Sequence, residues 1–520
     1  MYGTHITETD LLLTGAQRSA RLVLRALLAA VGGLILASLL FQSAHAAEPT
    51  PVLQELPITP AAATKSGLWV KPESKSASAG LEIDSAGNMH MLAVDYVPLA
   101  EHPKVIYSFC PAVADCGKPG NWKSTSFSNE VIEAQLAVTS DGRPRILFRR
   151  TSTHQVGAKD WYYGECESSC TSSANWKLVF ITTQYGVDTS DVFEANATQR
   201  SFALDNLDRP RFSYQDRNYP IEPDHYGHYY LWCDANCTEH TAQNPTWFEV
   251  ELGVDYEYDA EIYGLPSLKF TSDNKPRMIA DVITLTEEVP DGIYYIGCDA
   301  NCGNPAAWRR VYIAERGSGT EVSFDLELTS KDMPRIAFYE GSFIGGEGEE
   351  LLYGWCNGNC FVGDSWTGLN LGLGSGHGES PDLELTAAEQ PRIGLLYNGG
   401  SGLVLAQCDG GCETGGWSAE MLEPASELDA EFPVPRPSHC DAGFWDQRAP
   451  MMALGKGGHP VFAYDAGYET RCLYDDPNDG QPPYMRFHQL RHNVRFVMWS
   501  ESSGGGTPGS IKSWLPMVGN

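Results

Sequence analysis

Carboxylates recur at one place in the pattern of this 520-residue chain: Asp95, Asp216, Asp281, Glu340 and Asp465 each stand where the second short strand of a repeated unit is expected to end. Three more, Asp191, Glu194 and Glu261, lie in irregular stretches nearby. Clustered carboxylates support three kinds of chemistry. They can accept hydrogen bonds from a sugar or meet a cationic partner. As pairs, drawn from Asp188/Asp191/Glu194 or Asp255/Glu257/Asp259/Glu261, they can act as acid and base on a glycoside. As oxygen ligands they suit calcium, the one cofactor the loops point to. For a transition metal such as copper, Asp224-His225-Tyr226-Gly227-His228 offers His225 and His228 beside an acid. The same five residues also read as an exposed hairpin. No G-x-S-x-G, H-E-x-x-H, sialidase-type Asp box or EF-hand loop occurs, so a non-catalytic binding role stands ahead of an enzymatic one.

The elements that must position these acids come from a repeat. From Leu326 the chain reads LELTSKDMPRIAFYEGSFIGGEGEELLYGWCNGNCFVGDSW, three short strands with turns, Trp366 opening a fourth. Copies begin at Leu136, Phe202, Leu268 and Leu383, with looser ones at Leu81 and Met452. Their anchors, Met89, Pro144, Pro210, Pro276, Pro334, Pro391 and Pro460, are spaced by 55 to 69 residues. Seven units of four strands predict an all-β chain, a seven-bladed β-propeller of antiparallel blades. In that fold the Asp/Gly turns and Cys turns share one rim, and the long acidic and aromatic loops share the other. The strand-end acids are then expected to ring the channel on the loop rim, a cluster that needs cations to offset it. The Arg after the anchor Pro (Arg145, Arg211, Arg277, Arg335, Arg392) recurs in five copies and so reads as scaffold.

The cysteines divide between scaffold and compartment. Twelve of the 14 form local pairs, Cys110/Cys116, Cys166/Cys170, Cys233/Cys237, Cys298/Cys302, Cys356/Cys360 and Cys408/Cys412. Each pair is expected at the end of a third strand and the turn that leads to the repeat's Trp. By elimination Cys440 pairs with Cys472. Regular local pairs in an exported chain read as disulfides. Export follows from residues 1–46: Arg18, Arg21 and Arg25 precede an apolar run from Ala26 to Phe41, and Ala44-His45-Ala46 is a small-residue cleavage site. Residues 47–66 form a Pro/Ala-rich leader, 67–499 the propeller, and 500–520 a flexible Gly/Ser-rich tail. Either Gly67–Lys71 or the last repeat's own candidates, Tyr484–Leu490 and Val494–Trp499, would complete the final blade. A formal net charge of −31 argues against nucleic acid or an anionic membrane as partner. No later segment is apolar enough to span a membrane once the signal is cleaved.

The pattern L-x-L-x-S-x-x-x-P-R-I-x-x-Y, then L-x-Y-x-x-C-x-x-x-C and W, resembles the secreted β-propeller repeats of environmental bacteria, most of them without known activity. The resemblance covers residues 67–499 and implies the fold, with a disulfide in most blades. The expectation is therefore a secreted, periplasmic or cell-surface protein. Its partner would be an extracellular glycan, a surface protein or a cation. The alternatives are a carbohydrate-active hydrolase or lyase on the same face, and a calcium- or copper-binding protein.

Overall fold

The computed structural model describes residues 58–60, 76–95, 104–153, 158–184, 200–217, 226–252, 260–284, 290–315, 322–340, 350–373, 377–397, 400–431, 438, 440–474, 484–500 and 509–514. The chain forms seven four-stranded antiparallel blades arranged as a propeller. The innermost strands are Ser76–Ile83, Val131–Val138, Phe202–Leu204, Ala260–Phe270, Val322–Leu328, His377–Leu385 and Phe444–Leu454, one for each of blades one to seven. Seven apolar clusters hold the ring, each shared by two neighbouring blades. The cluster joining blade seven to blade one contains Leu81, Met91, Val461 and Phe496. There Trp122 meets Phe496 edge-on, with ring centroids 5.4 Å apart. Strand alternation explains the arrangement: the apolar residues of each blade face the next blade, and no single blade could bury them alone.

The Asp/Gly and Cys turns form the same local structure in blade after blade. Every turn between first and second strands is five residues long, from 84–88 in blade one to 455–459 in blade seven. At its tip a residue takes positive φ: Gly87, Gly142 and Gly458 in three blades, and Asp208, Asn274, Asp332 and Glu389 in the others. The four polar tips hold that left-handed backbone for a reason, because each bonds the turn of the preceding blade. Asp208 accepts from Ser140 N at 2.7 Å, Asn274 from Asn206 N at 2.8 Å, Asp332 from Ser272 N at 2.6 Å and Glu389 from Ser330 N at 2.9 Å.

All seven expected disulfides are present. They are Cys110–Cys116, Cys166–Cys170, Cys233–Cys237, Cys298–Cys302, Cys356–Cys360, Cys408–Cys412 and Cys440–Cys472. No described cysteine is free. The two members of a local pair are not equivalent, a difference their spacing did not disclose. The first is the last residue of its third strand and is fully buried: Cys110, Cys166, Cys233, Cys298, Cys356 and Cys408. The second has left the sheet. Cys116, Cys170, Cys302, Cys360 and Cys412 stand in turns, and Cys237 opens the short 3-10 helix Cys237–Glu239. Of these six, Cys116 and Cys237 are buried and the other four are half-buried. The bond therefore ties a turn to a strand end rather than strand to strand.

Each local pair makes a knuckle into which a Trp bonds, and in five of the six an Arg bonds as well. The indole N–H of Trp122, Trp176, Trp247, Trp308, Trp366 and Trp417 donates to the carbonyl of the second Cys, respectively Cys116, Cys170, Cys237, Cys302, Cys360 and Cys412, at 2.8–3.0 Å. The repeated Arg donates to the carbonyl of the first Cys and to the residue after it. Those second partners are Glu167 for Arg145, Asp234 for Arg211, Asp299 for Arg277, Asn357 for Arg335 and Asp409 for Arg392, at 2.6–2.9 Å. The arginine thus does the scaffold task its repetition implied. In blade one His90 replaces it, within 2.7 Å of the Tyr107 hydroxyl and 3.3 Å of Asp84.

The end of the chain differs from the sequence reading. Tyr484–Ser500 is one 17-residue strand rather than two, paired along Pro460–Tyr474 from Tyr484 to Met498. No Gly or Pro interrupts Tyr484 to Trp499, so nothing turns the chain there. The outer strand of blade seven is Gly509–Trp514, within the stretch read as a tail. Ile58–Pro60, within the leader, adds a parallel strand outside blade six, while Gly67–Lys71 lies outside the described residues.

Candidate functional site

Asp95, Asp216, Asp281, Glu340 and Asp465 all lie on the second strands of their blades, one strand removed from the axis. Asp281 and Asp465 are buried, 3% and 4% exposed. Those two are thus withdrawn from solvent, while the side chains of Asp95, Asp216 and Glu340 lie outside the described residues. Glu261 is on the first strand of blade four, opposite Ile283. Asp191, Glu194 and His225 fall outside the described residues. His228 is not on an exposed hairpin: it lies within Tyr226–Cys233, 1% exposed, with Nε2 on the Ser213 hydroxyl. Burial pushes its pKa down to about 3, so the ring is neutral. Among the described residues no group of three or more His, Cys, Asp or Glu is placed to hold a metal.

Charge does gather in an axial cluster, drawn from other residues. The polar position of the first-strand motif, between its two apolar residues, is Glu82 in blade one, Lys269 in blade four, Glu327 in blade five and Glu384 in blade six. In the remaining blades it is Ala137, Ala203 and Ala453. Two residues earlier come Asp325 and Asp382. Arg200, just before the first strand of blade three, joins them across the ring. Its guanidinium lies 2.8 Å from Glu384, 3.1 Å from Asp382 and 3.8 Å from Glu82, and donates to the Met452 carbonyl at 2.8 Å. Lys269 pairs with Glu327.

The same layer solves a backbone problem. The inner edge of each first strand carries N–H groups with no strand to receive them, and a neighbouring side chain takes several. Asp325 accepts from Leu383 N at 2.9 Å, Asp382 from Met452 N at 2.7 Å and Gln135 from Phe202 N at 2.9 Å. Ser267 accepts from Leu326 N at 3.1 Å.

Five carboxylates meet two cations here, and the electrostatics show the imbalance. Burial raises Glu82 above its ordinary pKa against the opposing pull of Arg200, and raises Asp382 well above it. Burial also pushes Glu327 up, to about 7, despite Lys269, with Glu384 and Asp325 adding to the rise. For Lys269 and Arg200, burial alone would lower the pKa, but the surrounding acids override it and both are raised. The cluster can therefore hold protons near neutrality and bind the blades electrostatically. The sequence signal was the alternation itself, charged at four of seven equivalent positions. Arg200 had no signal, since it precedes the repeat.

No family model and no curated protein matches the chain. Solved structures do resemble it. The polysaccharide lyase Uly1 is 11% identical, with a TM-score of 0.42, over 80% of this chain and 90% of that one. The β-propeller domain of the Trilobed protease from Pyrococcus furiosus is 9% identical, with a TM-score of 0.40, over 81% and 96%. A protein of unknown function from Dyadobacter fermentans is 10% identical, with a TM-score of 0.36, over 81% and 95%. At such identities and scores they bear on no question of activity.

Proposed function

We propose that the protein is an exported, non-catalytic binding propeller that recognises an extracellular glycan through the rim opposite its Cys knuckles. One observation carries the reading: irregularity in chain length is concentrated on that rim. Connections from the fourth strand to the next blade run from one residue, Glu130, to 19 residues, 425–443, and one of 17 spans 185–201. Irregular connections on a regular scaffold are where recognition usually resides. Their sequences supply acids and aromatics, the groups that bond sugar hydroxyls and stack on sugar rings. Seven disulfides fit an oxidising compartment, and residues 1–46 read as the export signal. Among the described residues no helix is long and apolar enough to cross a membrane.

The test is a glycan array on the purified protein, together with metal analysis before and after chelation. Binding to a defined set of glycans that survives chelation is expected. Capture of a surface protein alone, or tight metal with no sugar binding, would replace the glycan. A second reading, a carbohydrate-active hydrolase or lyase, draws support from the axial carboxylates that burial holds at raised pKa. Polysaccharide turnover lost in Asp382→Asn or Glu327→Gln, with binding retained, would establish it.

A further inference from the structure

Cations are scarce in this chain, 36 against 67 acids, and on the Cys rim each repeated Arg has a carboxylate or amide partner. Arg149 and Lys159, at the loop-rim end of blade two, depart from that economy. Arg149 lies near the end of Pro144–Thr151, and Lys159 opens Lys159–Cys166. The register pairs Arg149 with Trp161 and Thr151 with Lys159, so the two cations share one face of the sheet. That face looks toward blade three, where Trp161 packs on Phe212 and Tyr214 with centroids 5.5 and 6.2 Å away.

Lys159 is 5% exposed, and no acid of the described residues lies within ion-pair distance of it. Burial lowers its pKa, and Arg149 lowers it further. Arg149 lies over the Trp161 ring and reaches Gln184 at 3.0 Å and the single carboxylate of Glu133 at 2.9 Å. Its Nε is buried without a hydrogen-bond partner. Among the described residues, these two largely buried cations have one ion-paired acid between them, Glu133 on Arg149. Such an excess is costly unless an anion completes it.

We propose that Lys159 and Arg149 bind a single carboxylate carried by a sugar, so that the glycan recognised at this rim contains a uronic acid. The inference rests on the glycan reading and narrows it. Two cations with one paired acid leave room for one negative charge, and the chain's net charge of −31 disfavours polyanions. Lys159 gives a point charge on a flexible stem, and the free Nε of Arg149 a fixed donor.

Calorimetry on the mature wild-type protein compares glucuronate, glucose and acetate. Glucuronate is expected to bind at least about tenfold more tightly than either, and Lys159→Met to remove that advantage while leaving glucose unchanged. Lys159→Met should fold at least as stably as wild type, since an unpaired buried charge is gone. Because a variant can misfold, chemical acetylation of the wild-type protein gives a second readout: glucuronate, but not glucose, should protect Lys159. Equal binding of glucuronate and glucose, or no protection, overturns the site and leaves glycan recognition standing. Acetate binding as tightly as glucuronate overturns the sugar assignment. An array with no bound sugar at all defeats the glycan reading itself.

Discussion

The two rims of this propeller are made from the same seven blades and could hardly be less alike. On the Cys rim the first turn is five residues long in every blade, six knuckles repeat the Trp bond and five of them the Arg bond. On the opposite rim the links from one blade to the next vary from one residue to 19. The difference shows where selection for stability can be met. A turn that bonds its neighbour's turn cannot change length without breaking the ring, whereas a connection that only has to span two strands can grow at small entropic cost.

Breaking the knuckle is expected to have the largest effect. Trp366 is 2% exposed and its indole N–H lies 2.8 Å from the Cys360 carbonyl. Trp366→Ala should cost about 3–5 kcal/mol in denaturant unfolding. Asp191→Asn, on a loop-rim connection, should stay within about 0.5 kcal/mol. Comparable losses from both would erase the distinction between the rims.

The axial cluster, belonging to neither rim, sharpens it through pH. Glu327 has its pKa raised from 4.5 to about 7, so between those values the folded state binds more protons than the unfolded chain. Its contribution is complete below about pH 4.5 and is lost as pH rises toward 7. Stability measured across that window should fall with pH, and Glu327→Gln should flatten the slope even though it leaves Lys269 without its partner. An unchanged slope would show that Glu327 titrates as it does in water.

The smallest expected effect tests the turn-to-turn ring. Asp332 holds φ at 62° and bonds Ser272 of the preceding blade. Asp332→Ala loses those bonds and keeps the strained backbone, for about 1–3 kcal/mol. Asp332→Gly loses only the bonds and should cost less. The reverse order would mean that the left-handed backbone at this position carries no strain worth relieving.

Much of the scaffold was legible in the chain because its signals are local and repeated. Cysteines four residues apart before a Trp can hardly pair otherwise, and a Pro-Arg step recurring in five units announces its own redundancy. What the spacing hid was the division of labour within a pair, in which Cys170, Cys302 and Cys412 leave the sheet and offer their carbonyls to the Trp. The axial cluster was half legible. Glu82, Lys269, Glu327 and Glu384 hold one position of the repeat, but periodicity cannot tell which face of a strand looks down the axis. Arg200 reaches Asp382 across 182 residues, a contact with no period to betray it. The place of Asp281 and Asp465 on second strands was legible from the repeat, but their burial was not, because it is set by packing against other strands. Gly509–Trp514 was hidden behind the Gly/Ser run that precedes it, since a flexible-looking linker says nothing of the strand beyond.

The most direct test of the rim asymmetry is a single glycan array probed with three proteins. One is wild type, one carries Asp188→Asn, Asp191→Asn and Glu194→Gln on the loop rim, and one carries Asp208→Asn and Glu389→Gln on the Cys rim. Binding by wild type and by the Cys-rim variant, with loss in the loop-rim variant, is the expected result. Binding that survives the loop-rim changes but is lost with the Cys-rim pair, while both variants remain folded, would contradict it.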